Sequence, residues 1–345
     1  MALYIFGFFV SFFINFALFV PFINLLYKLK FQRAQQETRD AFNKRTPIFD
    51  KFHAHKAGTP VGGGILIILT TLLTFTLFTV FHVLIKQDII SNYPNIVSEF
   101  KIVLFTFLSF SFLGLYDDLK KIFLWKDDSF FGLRLRHKLI IEIILAGIIS
   151  WWMFSELKIS IVNVPYFGVY NMSWFFIPFS TFVIVAFSNA MNITDGLDGL
   201  ATGVLLISLL AFWVISLSIL DTPLLILITA WTGGLAAFLY FNIYPARLIM
   251  GDTGALSFGA TFAVIGLLLG KVFALAIIGG FFVLEISSSL FQLLSKKYRK
   301  RKLFPVAPIH LWLQYRGWEE PKIVMRAWLA ALLFAMFGLM IAFMK

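Results

Sequence analysis

Long apolar runs follow one another along this chain, separated by short polar segments, and they decide the fold class before any single residue is considered. A helix needs about 20 apolar residues to cross the hydrocarbon of a bilayer, where the backbone must satisfy its own hydrogen bonds. Spans are expected near Ala2–Tyr27, Gly62–Ile85, Ile102–Leu115, Leu139–Phe154, Trp174–Ala190, Leu200–Leu220, Pro223–Phe241, Gly254–Leu269, Val272–Leu294 and Ala327–Met344. Hydrophobic residues make up 60% of the chain and charged residues only 14%, which excludes an ordinary soluble domain. The expectation is an all-α polytopic membrane protein, a single domain over residues 1–345 with about ten transmembrane helices. The first run lacks a basic lead-in and a small-residue cleavage pattern after Lys28, so it reads as a retained helix rather than a signal peptide. Alternating Ile159, Ile161, Val164 and Tyr166 suggest a short hairpin between two spans.

Lysine and arginine give the orientation. All but five of the 29 fall in Lys28–Pro60, Asp117–Lys138, Asn242–Asp252 and Ser295–Arg326, loops that share one side; the exceptions are Lys86, Lys101, Lys158, Lys271 and Lys345. The positive-inside rule then puts the basic loops in the cytoplasm and both termini outside. This bias accounts for the net charge of +11 without any nucleic acid, and SKKYRKRK at Ser295–Lys302 suits anionic lipid headgroups. Without Cys, disulfide frameworks and thiolate metal sites are excluded, and the five His are too scattered for a zinc cluster.

The same side collects polar residues that a membrane protein keeps only at a cost. Asp117 and Asp118 close one apolar run, NAMNITDGLDG (Asn189–Gly199) joins two others, and Asn242, Asp252 and His310 follow. The external acids Asp88, Glu99, Glu156 and Asp221 show no clustering along the sequence. Carboxylates at helix ends on one side, Asp117, Asp118, Asp195, Asp198 and Asp252, suggest metal-assisted phosphoryl transfer, because Mg²⁺ takes oxygen ligands beside phosphates. Adjacent helical positions differ by about 100°, so Asp117 and Asp118 divide their roles between ligand or base and support. Asp195 and Asp198 share a face if their turn is helical, and Gly196 and Gly199 permit a close approach; Asn192 or Thr194 as a helix N-cap is the alternative. Asp252 in MGDTG is either a cap or an Mg²⁺ ligand. In HKAGTPVGGG (His55–Gly64), Lys56, the backbone amides and the glycines can cradle a phosphate, although the Walker order is absent; a flexible entry to the second span is the alternative. Glu142 and Glu285, inside spans, are expected to find partners in the bundle interior.

KAGTP, YDDLKK, NAMNITDGLDGLATG, FNIYPARLIMGDTGALSFG, LEISSSLFQ, and APIH followed by GWEEPKIVMRAW stand in this order. Between about Lys56 and Trp328 they make the chain resemble the phospho-N-acetylmuramoyl-pentapeptide transferases of the polyprenyl-phosphate sugar-1-phosphate transferase superfamily. The resemblance implies ten helices in the bacterial plasma membrane, both ends outside, a cytoplasmic active-site cleft, Mg²⁺ dependence and a homodimer. It implies transfer of phospho-MurNAc-pentapeptide from its UDP conjugate to undecaprenyl phosphate, giving lipid I and UMP for the cell wall. By motif, Asp252 would be an Mg²⁺ ligand, Asp117 a second ligand or the base for the lipid phosphate, Asp118 a support, and His310 a further catalytic group. Asn189, Asn192, Asp195 and Asp198 would line the nucleotide and sugar side, with Asn242 on the uridine and Lys56 and Thr59 near the diphosphate.

Several departures touch that site. Where the family carries three consecutive His, this chain has His310, Leu311 and Trp312; VGGG follows GTP where TMGG is usual; Ile249 replaces an aromatic suited to stacking on uracil; and Arg247 stands where an acid is common. A UDP-HexNAc:polyprenyl-phosphate transferase for another surface glycan is the competing enzyme, against which GWEEPKIVMRAW and KAGTP argue. An ion-coupled transporter would carry its acids near the bilayer midplane on broken helices in matched halves. Retention of Asp117, Asp118 and Asp252 argues against an inactive relative.

Overall fold

The computed structural model describes residues 1–32, 50, 52–123, 133 and 135–344, so much of the basic loop sequence that sets the expected orientation lies outside the described residues. Helices α1 (Ala2–Lys28), α2 (Gly63–Leu84), α3 (Ile96–Phe123) and α4 (Leu135–Ser155) lead to a hairpin of β1 (Ile161–Val164) and β2 (Gly168–Asn171). Then come α5 (Phe176–Thr194), α6 (Leu200–Ile219), α7 (Thr222–Asn242), α8 (Asp252–Leu268), α9 (Val272–Ile278), α10 (Gly280–Tyr298), the short α11 (Ile309–Tyr315) and α12 (Glu320–Phe343). Among the described residues, eight helices are long and apolar enough to cross a membrane, or nine if the pair α9 and α10, bent by 78°, is one span. Helix α8, with 17 residues, is a shorter apolar helix whose residues are all buried. The expected run Val272–Leu294 is therefore broken, at Gly279–Gly280, where two glycines give the backbone room to bend.

Helices α7 and α8 read as apolar all round, and that composition places them inside the bundle. Helix α8 packs between α3 and α5, while α7 packs against α1, α2 and α6. Among lipid tails, apolar area gives little drive for helices to meet, so close approach at small residues and polar bonds decide which faces pair. A Cβ on Gly233 would lie 2.4 Å from the Phe8 carbonyl oxygen, and one on Gly259 would lie 2.3 Å from that of Phe187. Ser11 donates to the Ala230 carbonyl (2.5 Å), Thr70 to Asn15 Oδ1 (2.7 Å), Ser257 to the Phe107 carbonyl (2.6 Å) and Ser188 to the Leu256 carbonyl (3.1 Å). Exposed Phe6, Phe9 and Phe13 of α1 and Leu333 and Met336 of α12 are left for acyl chains.

Two sets of contacts define the ends of the bundle. At one, Thr222 N–H donates to the Ile90 carbonyl (2.8 Å), Tyr93 bonds the Leu268 carbonyl, and Lys271 donates to the Ala342 carbonyl (2.7 Å). The expected hairpin is present, pairing Ile161 with Asn171 and Val164 with Gly168. Glu99 and Asp221 correct the expectation of scattered external acids, because the fold buries them side by side. Ser91 Oγ donates to Glu99 (2.5 Å) and Asn92 Nδ2 to Asp221 (3.0 Å), and burial raises the Asp221 carboxyl above its ordinary value. The other end gathers the C-termini of α3, α5 and α7 with the N-termini of α4, α6, α8 and α12. There α3 runs on to Phe123, beyond the expected Leu115, so Asp117 and Asp118 stand inside a helix rather than at its end.

Contact between α3 and the start of α8 depends on Gly114, where a Cβ would lie 2.2 Å from the Asp252 carbonyl oxygen. Gly114→Ala is expected to cost about 1–3 kcal/mol through overpacking. Thermal unfolding of the detergent-purified variant should show a clear drop; an unchanged transition would contradict this contact.

Candidate active site

Asp118 organises the entry to α8. The first N–H groups of a helix have no partner in the helix itself, and here they are buried. Asp118 supplies acceptors from α3: Oδ1 takes the Asp252 N–H (3.1 Å), and Oδ2 takes the Thr253 N–H and hydroxyl, both at 2.9 Å. Gly251 precedes the helix with φ +82°, and a Cβ there would lie 2.7 Å from Asp118 Oδ2, so both conformation and space call for glycine. The VGGG segment braces the same loop. Ile249 N–H donates to the Pro60 carbonyl (2.9 Å), while Gly62 and Gly63 N–H donate to Ile249 (3.0 and 2.9 Å) and Gly64 N–H to Met250 (3.0 Å). The expected phosphate cradle is therefore corrected at these glycines, whose amides are spent on the backbone of the MGDTG loop.

With its neighbour so engaged, Asp117 turns to a different partner set, as 100° of helical rotation requires. It is 2% exposed, and Oδ1 accepts the Leu133 N–H at 2.7 Å. Its Oδ2 lies 2.9 Å from Lys121 Nζ and 3.2 Å from Lys138 Nζ, and Asp252 Oδ2 lies 2.9 and 2.6 Å from the same two nitrogens. Two carboxylates and two ammonium groups thus form one balanced cluster, which is what lets four charges sit so far from water. Asn189 donates to Glu142, one helical turn beyond Lys138, and to the Val185 carbonyl (3.0 Å). Glu142 is fully buried and has this partner, as expected of an acid inside a span, while its Oε1 is unpartnered among the described residues. Among the described residues, no group of three or more His, Asp and Glu side chains is arranged to hold a metal.

The turn between α5 and α6 forms a second centre. Residues 195–199 are not helical, so Asp195 and Asp198 do not share a helix face, and Gly199 (φ +76°) rather than Asn192 or Thr194 caps α6. Thr194 bonds back to the Ala190 carbonyl (2.7 Å). Lys56 directs its three donors to Asp198 (2.7 Å), Glu320 (2.7 Å) and the Gly196 carbonyl (3.1 Å), and His53 Nε2 lies 2.9 Å from the same carbonyl. Glu320 also accepts the Asp198 N–H (2.6 Å), and Asp198 accepts the Ala246 N–H (2.9 Å). Asn242 accepts from Gly199 N–H (3.1 Å) and Thr202 (2.9 Å) and donates to Leu248 (3.0 Å), tying α7 to α6. Lys56, Asp198 and Asn242 thus bind the protein to itself here, whereas Thr59, Asn192 and Asp195 stand half-buried at the rim. His310, on α11, bonds Glu285 of α10 (3.0 Å).

Lys121, Lys138 and Glu320 are site residues that the sequence alone did not single out, and Glu285, expected to find a partner inside the bundle, finds it in His310. Lys121 carried a signal, four residues after Asp117 on the same helix face, but Lys138 meets Asp117 only through the fold.

These features define a class, a polytopic membrane protein with a buried acidic and basic site at one end of its helices. The model of the Glycosyl transferase family 4 matches residues 100–270. A phospho-N-acetylmuramoyl-pentapeptide-transferase of Clostridium perfringens is 37% identical over 304 residues, covering 88% of this chain and 87% of its own. Those of Caldanaerobacter subterraneus subsp. tengcongensis (34% over 313 residues, 90% of each chain) and Pelagibacter ubique (37% over 304 residues, 82% and 80%) are similarly related. The chain belongs to the phospho-N-acetylmuramoyl-pentapeptide-transferase family, and it is a multi-pass transferase of the bacterial inner membrane.

The geometry separates the adjacent aspartates. Asp118→Asn removes one of two acceptor oxygens from a group that receives three donors, so it is expected to cost about 1–3 kcal/mol of stability. Chemical unfolding should register that loss, and an Asp118→Asn protein as stable as the parent would contradict the capping role.

Proposed function

We propose that the protein transfers phospho-MurNAc-pentapeptide from its UDP conjugate to undecaprenyl phosphate, forming lipid I and UMP in peptidoglycan synthesis. The observation that carries this reading is the convergence of Asp117 and Asp252 on Lys121 and Lys138 at the end of the bundle that also holds the 195–199 turn. The positive-inside bias supports a cytoplasmic position for that end and an external one for both termini.

The chemistry needs such a site. A non-bridging oxygen of the lipid phosphate forms a bond to the phosphorus that bears the sugar, the bond from that phosphorus to the bridging oxygen breaks, and UMP leaves with that oxygen. Three phosphates meet, so catalysis is mostly positioning and charge neutralisation. Lys121 and Lys138 would offer ammonium donors to the substrate phosphates. Asp117 and Asp252 suit Mg²⁺, a cation that takes one or two carboxylates and completes its shell with water and substrate phosphates. Once bound between them, Mg²⁺ would neutralise charge developing on the phosphates. Asp117 would either share in holding the cation or keep the attacking phosphate deprotonated, and Asp118 holds Asp252 in position. Thr59, Asn192 and Asp195 would meet the donor at the rim, with Lys56, Asp198 and Asn242 shaping the turn beneath it.

UMP release by purified protein from UDP-MurNAc-pentapeptide and undecaprenyl phosphate, with UDP-GlcNAc as a competing donor, tests the reading. Mg²⁺-dependent release from the muramyl donor is expected, with loss of turnover in folded Asp117→Asn and Asp252→Ala proteins. Release from UDP-GlcNAc alone would move the chain to another surface glycan.

A further inference from the structure

His310 and Glu285 are each 1% exposed, and both hydrogen-bonding groups that His310 turns toward α10 end on the same carboxylate. The backbone N–H of His310 lies 3.2 Å from Glu285 Oε1, and Nδ1 lies 3.0 Å from Oε2. A carboxylate only accepts, so this pairing requires a proton on Nδ1. In the neutral ring Nε2 is then an acceptor, and it is buried without a partner among the described residues. It faces the turn between α5 and α6, where a Cβ added to Gly196 would lie 2.6 Å from it. A buried, unpartnered nitrogen held this firmly and directed at the donor-side turn is costly unless a ligand meets it.

The flanking positions have other surroundings. Leu311 is 4% exposed, and the Trp312 ring lies 6.1 Å from Phe304 with Arg316 at 5.0 Å. Of the three consecutive positions, 310 is the one that carries its side chain to the turn at Gly196.

We propose that Glu285 is a positioning residue that holds His310 in its Nδ1–H form, so that Nε2 accepts a hydrogen bond from an O–H or N–H group of the donor's sugar. The donor's identity rests on the function proposed above; the role of Glu285 in setting the tautomer does not. Because a phosphate oxygen is itself an acceptor, this assigns His310 to the sugar rather than the diphosphate.

Glutamine at 285 has one acceptor oxygen for two donors. The backbone N–H of His310 cannot change role, so in Glu285→Gln the amide NH₂ is expected to face Nδ1 and force the proton to Nε2. The experiment is ¹⁵N NMR of histidine-labelled protein, with His310→Ala supplying the assignment. The wild type should show His310 protonated at Nδ1 and bare at Nε2, and Glu285→Gln the reverse. In UMP-release kinetics, Glu285→Gln should lower kcat/KM for the muramyl donor by about tenfold or more. Adding it to His310→Ala should cost less than about a further twofold, because both act through one group.

A wild-type His310 protonated at Nε2, unchanged kinetics in Glu285→Gln, or fully additive losses would each overturn the proposal. The wild-type spectrum needs neither a folded variant nor a donor. If no donor is turned over, the functional reading fails, while that spectrum still decides the tautomer.

Discussion

The capping of α8 by a carboxylate from α3 is the interaction on which the site depends. A buried helix start leaves N–H groups that only a correctly placed acceptor can satisfy, and an anion there also meets the positive end of the helix dipole. Asp118 meets both demands, and it can do so because Gly114, Gly64 and Gly251 let backbones approach where any Cβ would collide. The same bonds hold Asp252 at the first position of α8, facing Asp117 across Lys121 and Lys138. One aspartate of the adjacent pair, Asp118, is therefore structural, while Asp117 is left to face Lys121 and Lys138.

Polar bonds carry unusual weight in this fold. Burial of apolar area alone cannot select one helix face over another when the surrounding lipid is equally apolar, so Ser11, Asn15, Thr70, Ser188 and Ser257, together with close approach at Gly233 and Gly259, specify the pairing of helices around α7 and α8. The same logic extends into the site, where Lys56 and Glu320 draw α12 onto the turn between α5 and α6 and Asn242 draws α7 there. The site is thus rigid where it meets the bundle, and half-buried side chains remain at its rim.

Most of the helices were legible in the sequence because a membrane helix is announced by its own length and apolarity. Where the expectation slipped, local chemistry explains it: Asp117, Asp118, Lys120 and Lys121 look like a helix end to a hydropathy reading, yet Asp117 pairs with Lys121, Asp118 caps α8 and the helix continues through them. The break at Gly279–Gly280 was hidden inside an unbroken apolar run. That Asp117, Asp198, Asn242, Asp252 and His310 gather at one end was legible from the alternation of spans, and the family was legible from ordered motifs. Their partners were not, since Lys138 with Asp252, Lys56 with Glu320 and Glu285 with His310 are joined only by the fold. Periodicity says nothing about such pairs.

The Mg²⁺ site proposed above needs Asp117 and Asp252 together, with Asp118 serving the scaffold. The most direct test is an EPR titration of Mn²⁺, standing in for Mg²⁺, into the purified protein with UMP present. The account predicts one saturable site in the parent that is lost in both Asp117→Asn and Asp252→Asn. Equal Mn²⁺ binding in the parent and both variants would contradict it.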